Sequence, residues 1–366
     1  NGLQLLMKIV LTCDQLLEKS RANEVFELLC EMYKDAEVYT LAHKAHSIGG
    51  AIEQRKINSS FISHKVENFE GFQKAAYMVP TAADRLFIPC SVDLIINVSS
   101  GLSHGIKKCQ KTRQITYLFD ERVGPKTWKE KFFGSYLRNW SQNKLGQCDE
   151  LWVATEGLKN KFSNLNKNIK VLEPGFKIDQ FSLNPQVEKG PSAACKLDYY
   201  AVNAENLTGI GAGQLISIFE KSGDTYYFVG ADKHLDSLKR SSSDPRFLGP
   251  KEEGDLSPIL SGARGVVDID QLQNGQLNFP KLALWGLASG RPVIVDQGDR
   301  NRDFFKGEGI SFASDFSELE RNIGELDQNS INYRPQKLRG QAMRYHAIKF
   351  KNSFKRNVDK ITDGES

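Results

Sequence analysis

Apolar positions along this chain fall into short runs that alternate with stretches of helical spacing. Lys8–Asp14 (KIVLTCD) reads as a buried strand, and residues 22–34 place Val25, Phe26, Leu28, Leu29 and Met32 at the spacing of an amphipathic helix. Further strand-like runs follow at Glu37–His43, Lys56–Ile62, Val92–Ser100, Arg113–Asp120, Glu150–Thr155 and Ile169–Gly175. Several are continuous apolar runs without alternation. Strands covered on both faces look like that, and βαβ units place them in a parallel sheet.

The rhythm breaks at 182–197 (SLNPQVEKGPSAACKL), which holds Pro, Gly and Ser without periodicity and reads as a linker. It then resumes with strand patterns at Tyr199–Glu205, Thr225–Asp232, Arg246–Pro250, Arg264–Asp270, Arg291–Gln297 and Gly309–Ala313, and with helices between them, notably 211–221 and 280–289. The expectation is an α/β protein of two Rossmann-like, doubly wound domains facing a central cleft. The N-terminal domain covers 1–182, the linker 183–197 and the C-terminal domain 198–335. The stretch 336–361 is predicted as one long basic helix within a 336–366 tail that packs back on the N-terminal domain. Its plain reading is a surface helix with a solvated basic face; its sharper one is a contact with anionic lipid. The same two readings apply to the basic run Lys107–Arg113, which could also meet an acceptor phosphate.

Composition narrows the field. The 366 residues suffice for about two domains, and 40% hydrophobic with 26% charged residues is ordinary for a globular protein. A net charge of +4 does not argue for nucleic acid as a partner. The six cysteines show no CxxC or zinc-type spacing, and Cys13 and Cys90 lie in or beside apolar runs, which suits a reduced, cytoplasmic compartment better than a disulfide framework. No apolar run reaches the ~18–20 residues of a membrane span. Asn1–Leu6 carries no positive flank and reads as a tag remnant before Met7 rather than a signal peptide.

The order of landmarks in the second half resembles family-4 retaining glycosyltransferases of the GT-B class. Tyr226–Gly230 (YYFVG) is similar to that family's strand ending in Val-Gly, and Arg246–Gly249 (RFLG) to its Phe-Leu-Gly segment. Phe279–Ile294 (FPKLALWGLASGRPVI) is similar to its signature helix and the Ala-Ser-Gly-Lys/Arg-Pro-Val-Ile ending, and Gly309-Ile310 to the next strand. The first half resembles the family more weakly, through Ala36–Leu41 and Val98–Ser100. The likeness spans roughly residues 7–325.

That resemblance implies sugar transfer from a nucleotide-sugar donor, with retention of configuration, no obligatory metal and no cofactor. It implies a glycan or lipid-linked acceptor in polysaccharide assembly, on the cytoplasmic side or the inner face of the membrane, beside a partner glycosyltransferase in some settings. The family holds the donor with an Arg, a Lys and two glutamates. Here the glutamate positions fall on Asn278 and Trp285, the Arg position near Glu205, and the Lys position near Gly209–Gly211. On the acceptor side the glycine-rich loop falls near Ser20 and Arg21, and the catalytic-domain His falls on Phe119, with Asp120 or Glu121 as alternative carboxylates. Asn278 before Phe279-Pro280 reads as a helix cap whose helix aims its positive end at the cleft. Gly298 sits in a loop at a strand end, with Arg291, Arg300 and Arg302 as bases that replace the lost pair. His104, and less so His43, are candidate cleft histidines beyond strand ends.

Two principal readings stand side by side. One is a glycosyltransferase with altered donor recognition. The other is a non-catalytic relative that keeps the fold as a binding or scaffold subunit. A third is another enzyme of GT-B shape, such as a sugar-nucleotide epimerase or a phosphorylase-like protein.

Overall fold

The structure, a computed structural model, describes residues 7–120, 128–183, 199–205, 207–231, 235–269, 279–329 and 333–362, with the side chains of 128–133, 299, 300 and 329 left undescribed. The chain divides into two compact units, Asn1–Phe176 with Ala347–Ser366, and Lys177–His346.

The first unit runs β1 (Ile9–Leu16), α1 (Arg21–Met32), β2 (Glu37–His43), α2 (Gly50–Glu53), β3 (Ile57–Ser59), α3 (Phe69–Lys74), α4 (Val79–Arg85), β4 (Leu94–Ser99), β5 (Arg113–Leu118), α5 (Trp128–Gly146), β6 (Glu150–Val153), α6 (Glu156–Phe162) and β7 (Ile169–Val171). Its seven strands lie in the order β3-β2-β1-β4-β5-β6-β7, and every pairing is parallel. All six residues of β4 are buried, the pattern of a central strand covered on both faces.

The second unit repeats the plan with β8 (Tyr199–Asn203), α7 (Gly209–Ser222), β9 (Thr225–Val229), β10 (Phe247–Gly249), α8 (Glu253–Ser261), β11 (Gly265–Asp268), α9 (Lys281–Ala288), β12 (Val293–Asp296), α10 (Asp299–Phe304), β13 (Ile310–Ala313), α11 (Phe316–Asn329) and α12 (Pro335–Ala342). Its parallel sheet is ordered β10-β9-β8-β11-β12-β13. Both sheets thus follow the 3-2-1-4-5-6 winding of Rossmann-like domains. The order reverses between β1 and β4, and again between β8 and β11; ligands of such sheets bind at these switch points, beyond the strands' carboxyl ends.

The last helix, α13 (Ala347–Thr362), returns to the first unit. It buries Phe350 and Phe354, whose rings meet Tyr117 at 5.7 Å and Trp152 at 4.8 Å, both edge-on. The basic stretch 336–361 is therefore not one helix. Tyr345 donates to the Phe304 carbonyl, His346 is extended with its ring 2.7 Å from Asp179, and Ala347 N–H donates to Phe176 O. These anchors break the helix between α12 and α13, at the point where the chain changes unit. The chain passes from one unit to the other at Phe176/Lys177 and at His346/Ala347, whereas the sequence placed the boundaries at 182 and 335; most of the 183–197 linker lies outside the described residues.

Two other expectations change. The run Lys56–Ile62 keeps only Ile57–Ser59 as strand, because Ser60 accepts from Ile62 N–H and starts a 3-10 turn at Phe61–His64. Cys90 is exposed and bonded to Cys109, while Cys13, Cys30 and Cys148 are buried free thiols. Burial pushes the Cys30 thiol up to about 12 and Cys148 up to about 11, which keeps both unreactive. No described helix is long and apolar enough to cross a membrane.

Candidate functional site at the two switch points

At the second unit's switch point, β8 ends on Asn203 and β11 ends on Asp268. The Asn203 amide Nδ2 donates to Asp268 Oδ1 at 2.7 Å, and Asp268 Oδ2 accepts from Ala283 N–H at 3.0 Å. Asp268 is fully buried. Ala283 is the third residue of α9, and that helix has no side-chain cap from its own N-cap residue, Pro280. A helix start leaves up to four N–H groups unpaired and carries partial positive charge. The Asp268 carboxylate takes part of that field from within the protein. The sequence placed the cap at Asn278 with Pro280 in the first turn; Pro280 is itself the cap, and Asn278 lies outside the described residues.

Glu205 follows β8 and is exposed; its N–H donates to Asn203 Oδ1 at 3.0 Å. Its Cγ lies 2.8 Å from where a side chain on Gly230 would begin, and Gly230 has φ +114°. Glycine is thus required where β9 runs out, both for the backbone angle and for the approach of Glu205. The edge therefore presents Glu205 outward above the buried Asn203–Asp268 pair.

Trp285 lies within α9 and is 7% exposed. Its ring stacks on Phe181 at 5.1 Å, and the Lys281 ammonium sits 4.1 Å from its centroid while bonded to Glu253 at 2.7 Å. Those neighbours, all of the same unit, occupy the ring. Arg291 precedes β12 at the opposite edge of the sheet. It is buried, donates to the Ser261 carbonyl, and its Nε has no partner. Burial holds its pKa below the usual guanidinium value, and its place before β12 puts it at the strand end away from the switch point. Gly298 caps α10 with its N–H on the Asp296 carbonyl, and Arg302 lies over the Phe312 ring at 5.4 Å. Arg300 belongs to α10, with its side chain outside the described residues.

The start of α7 holds Gly209–Gly211, where the resemblance places the lysine position without a base. Thr208 caps it by accepting from Gly211 N–H at 3.1 Å, and Gly209, Gly211 and Gly213 line its first turns. Nothing lies within 4 Å of a side chain built on Gly213. Ile210, at the position where the resemblance would place a lysine, is 81% exposed.

The first unit's switch point holds a second internal carboxylate. Asp14 of β1 accepts from Ser99 Oγ–H at 2.9 Å, Ser100 N–H at 2.7 Å and Ser103 N–H at 2.6 Å, all from the chain that leaves β4. His104 is 3% exposed, with Nδ1 at 3.1 Å from Ser99 Oγ and Nε2 at 2.9 Å from the Ser141 carbonyl. Burial pushes this imidazole down to about 4, against the pull of Asp14, so it is neutral at pH 7. One ring nitrogen faces Ser99 at the end of β4 and the other the Ser141 carbonyl of α5, so His104 ties the strand end to that helix and is a structural group in this arrangement. Phe119 is buried and Asp120, just past β5, is 8% exposed; Glu121 lies outside the described residues. Ser20 caps α1 by accepting from Asn23 N–H at 3.2 Å, and Arg21 pairs with Glu24 at 3.5 Å. His43 meets Glu53 at 3.3 Å. The described residues contain no group of three His, Cys, Asp or Glu side chains able to hold a metal ion.

No family model and no curated protein matches the chain. Solved structures do. HepE of Anabaena, solved with UDP, is 12% identical with a TM-score of 0.68, and the match covers 97% of this chain and 100% of that one. Sucrose-phosphate synthase from Thermosynechococcus elongatus is 11% identical at TM-score 0.67, over 98% and 100%. A glycosyltransferase from Rickettsia africae is 11% identical at TM-score 0.59, over 99% and 100%. The likeness runs end to end and includes both sheets: the chain has the GT-B fold, two Rossmann-like domains in one polypeptide.

Proposed function

We propose that this protein is a glycosyltransferase that takes a sugar from a nucleotide-sugar donor, with donor recognition shifted away from the start of α9. The full-length match to HepE, a structure solved with UDP and also with UDP-glucose, carries this reading. The second unit of this chain has the strand order in which Rossmann-like sheets bind ligands at a switch point, here β8/β11.

The local charge favours a diphosphate site away from the start of α9. A carboxylate opposes a phosphate by about 1–4 kcal/mol at ~4 Å, between the dielectric of water and that of a protein surface. Asp268 fills the α9 start, and Glu205 stands beside it. The remaining groups for a diphosphate are the glycine-lined start of α7 and Arg300. We read the transfer as retaining and metal-independent, with a glycan or lipid-linked acceptor on the first unit near Ser20, Arg21 and Asp120. Calorimetry with UDP, GDP and their sugars tests the donor site: binding in the micromolar range is expected, weakened at least tenfold by Arg300→Ala. No heat with any nucleotide, from a folded sample, removes the reading.

Glu205 and Asp268 together favour a second reading. Two carboxylates at a switch point suit a subunit that keeps the fold for binding or scaffolding without turnover. A folded protein that binds a glycan or a partner transferase but no nucleotide is its signature.

A further inference from the structure

The N-terminal ends of the first unit's strands, opposite its switch point, bring basic and apolar groups onto one surface. Arg113 opens β5, and its guanidinium donates to the Ile361 carbonyl in the last turn of α13 at 2.7 Å. The run Lys107–Arg113 and the end of α13 therefore adjoin. On the other side, Ile88 N–H donates to Lys107 O at 3.2 Å and Lys107 N–H to Ala83 O at 3.0 Å, which seats Leu86–Pro89 against the same run. The Cys90–Cys109 bond fixes the two segments together. Phe87 is 47% exposed there, and Pro89 is exposed beside it.

Around this apolar tip stand Lys8, Lys107, Lys111, Arg113 and Lys360, all exposed. Asp93 and Asp149 lie on the same edge, but their carboxylates accept from the backbone N–H groups of Lys8 and Gln114 at 2.8 and 2.7 Å, and Asp149 also meets Lys108. Lys107, Lys111 and Lys360 make no ion pair with a described residue. The edge thus combines an exposed phenyl ring and proline with three exposed lysines that are not committed to ion pairs with described residues. We propose that this edge docks on an anionic lipid surface, with Phe87 and Pro89 entering the headgroup layer and the lysines on lipid phosphates. Basic side chains beside an inserted aromatic ring are the chemistry such a surface rewards, through charge and apolar burial together. The proposal is independent of the donor reading, because the edge lies at the opposite strand ends from the switch point.

Co-sedimentation with phosphatidylcholine vesicles, with and without phosphatidylglycerol, tests it. The full chain is expected to pellet only with the anionic vesicles and to be released by high salt. The charge reversals Lys107→Glu, Lys111→Glu and Lys360→Glu combined should weaken binding by about 100-fold or more, and Phe87→Ser should weaken what survives at intermediate salt, both with unchanged circular dichroism. Absence of pelleting with anionic vesicles, or equal pelleting of the triple variant, overturns the proposal. Binding to duplex DNA that ignores Phe87→Ser, with vesicles left unbound, assigns the edge to nucleic acid and overturns it as well.

Discussion

Asn203 and Asp268 meet across the switch point of the second unit, amide to carboxylate at 2.7 Å, and the carboxylate's other oxygen holds Ala283 N–H at the start of α9. One buried side chain thus joins the ends of β8 and β11 to the helix whose first turn would face a ligand's phosphate. The first unit also places a carboxylate at its switch point, but from the other strand of the pair: Asp14 of β1 accepts from Ser99, Ser100 and Ser103 at and just beyond the end of β4.

Breaking the pair should cost stability, and the sign of the substituted charge should order the losses. Asp268→Ala leaves a buried amide and a helix N–H without this acceptor and is expected to destabilise by about 2–4 kcal/mol. Asn203→Asp sets two buried carboxylates against each other and should cost about 3–5 kcal/mol. Urea unfolding of both variants, with Asn203→Ala alongside, checks this. A loss smaller for Asn203→Asp than for Asn203→Ala contradicts the contact.

Gly230→Ala probes the approach of Glu205. At φ +114° an alanine is strained whatever the space, and its Cβ would lie 2.8 Å from Glu205 Cγ. A loss of about 1–3 kcal/mol is expected. The double variant with Glu205→Ala should recover only the part due to crowding, so a full recovery would mean that the backbone angle is not strained.

His104 sets an acid limit on the first unit. Its folded pKa, about 4, lies below the ordinary value of 6.5. The unfolded chain therefore takes up a proton that the folded one refuses. The stabilising contribution is complete above about pH 6.5 and is lost as pH falls towards 4, by about 3 kcal/mol in all. Thermal melts from pH 7 to 4 should show this slope, and His104→Gln should flatten it while lowering stability at pH 7. An unchanged slope in the variant assigns the acid sensitivity to other groups.

Trp285 is packed rather than presented, so its truncation should act on the fold. Trp285→Ala is expected to cost about 3–5 kcal/mol. Trp285→Glu, which introduces the carboxylate that the sequence resemblance implies at this position, puts a charge against Phe181 and should lower the melting temperature without raising nucleotide affinity. A gain in affinity at unchanged stability would show that the ring faces a ligand.

Much of the architecture was legible because buried parallel strands write themselves as apolar runs. Lys8–Asp14 foretold β1, residues 22–34 foretold α1, and 280–289 foretold α9, each within about two residues. The long basic helix was misjudged because its break rests on Tyr345, His346 and Ala347 bonding to Phe304, Asp179 and Phe176, contacts that no local pattern records. The roles of Asp14 and Asp268 were illegible for the same reason. A carboxylate closing a strand looks alike whether it faces solvent or a helix start, and only the sheet order brings its partners to it. Asn278 and Arg300 were legible as positions by resemblance, but the first lies outside the described residues and the second has no described side chain.

The proposed activity requires the second unit to hold a nucleotide sugar and activate its sugar for transfer. Incubating the purified protein with UDP-glucose and the matching guanosine donors, and following free nucleoside diphosphate by chromatography, tests this directly. Slow donor hydrolysis without acceptor, lost on Arg300→Ala, is the expected result. A folded protein that leaves every donor intact, and on which no nucleotide competes for any site, would contradict it.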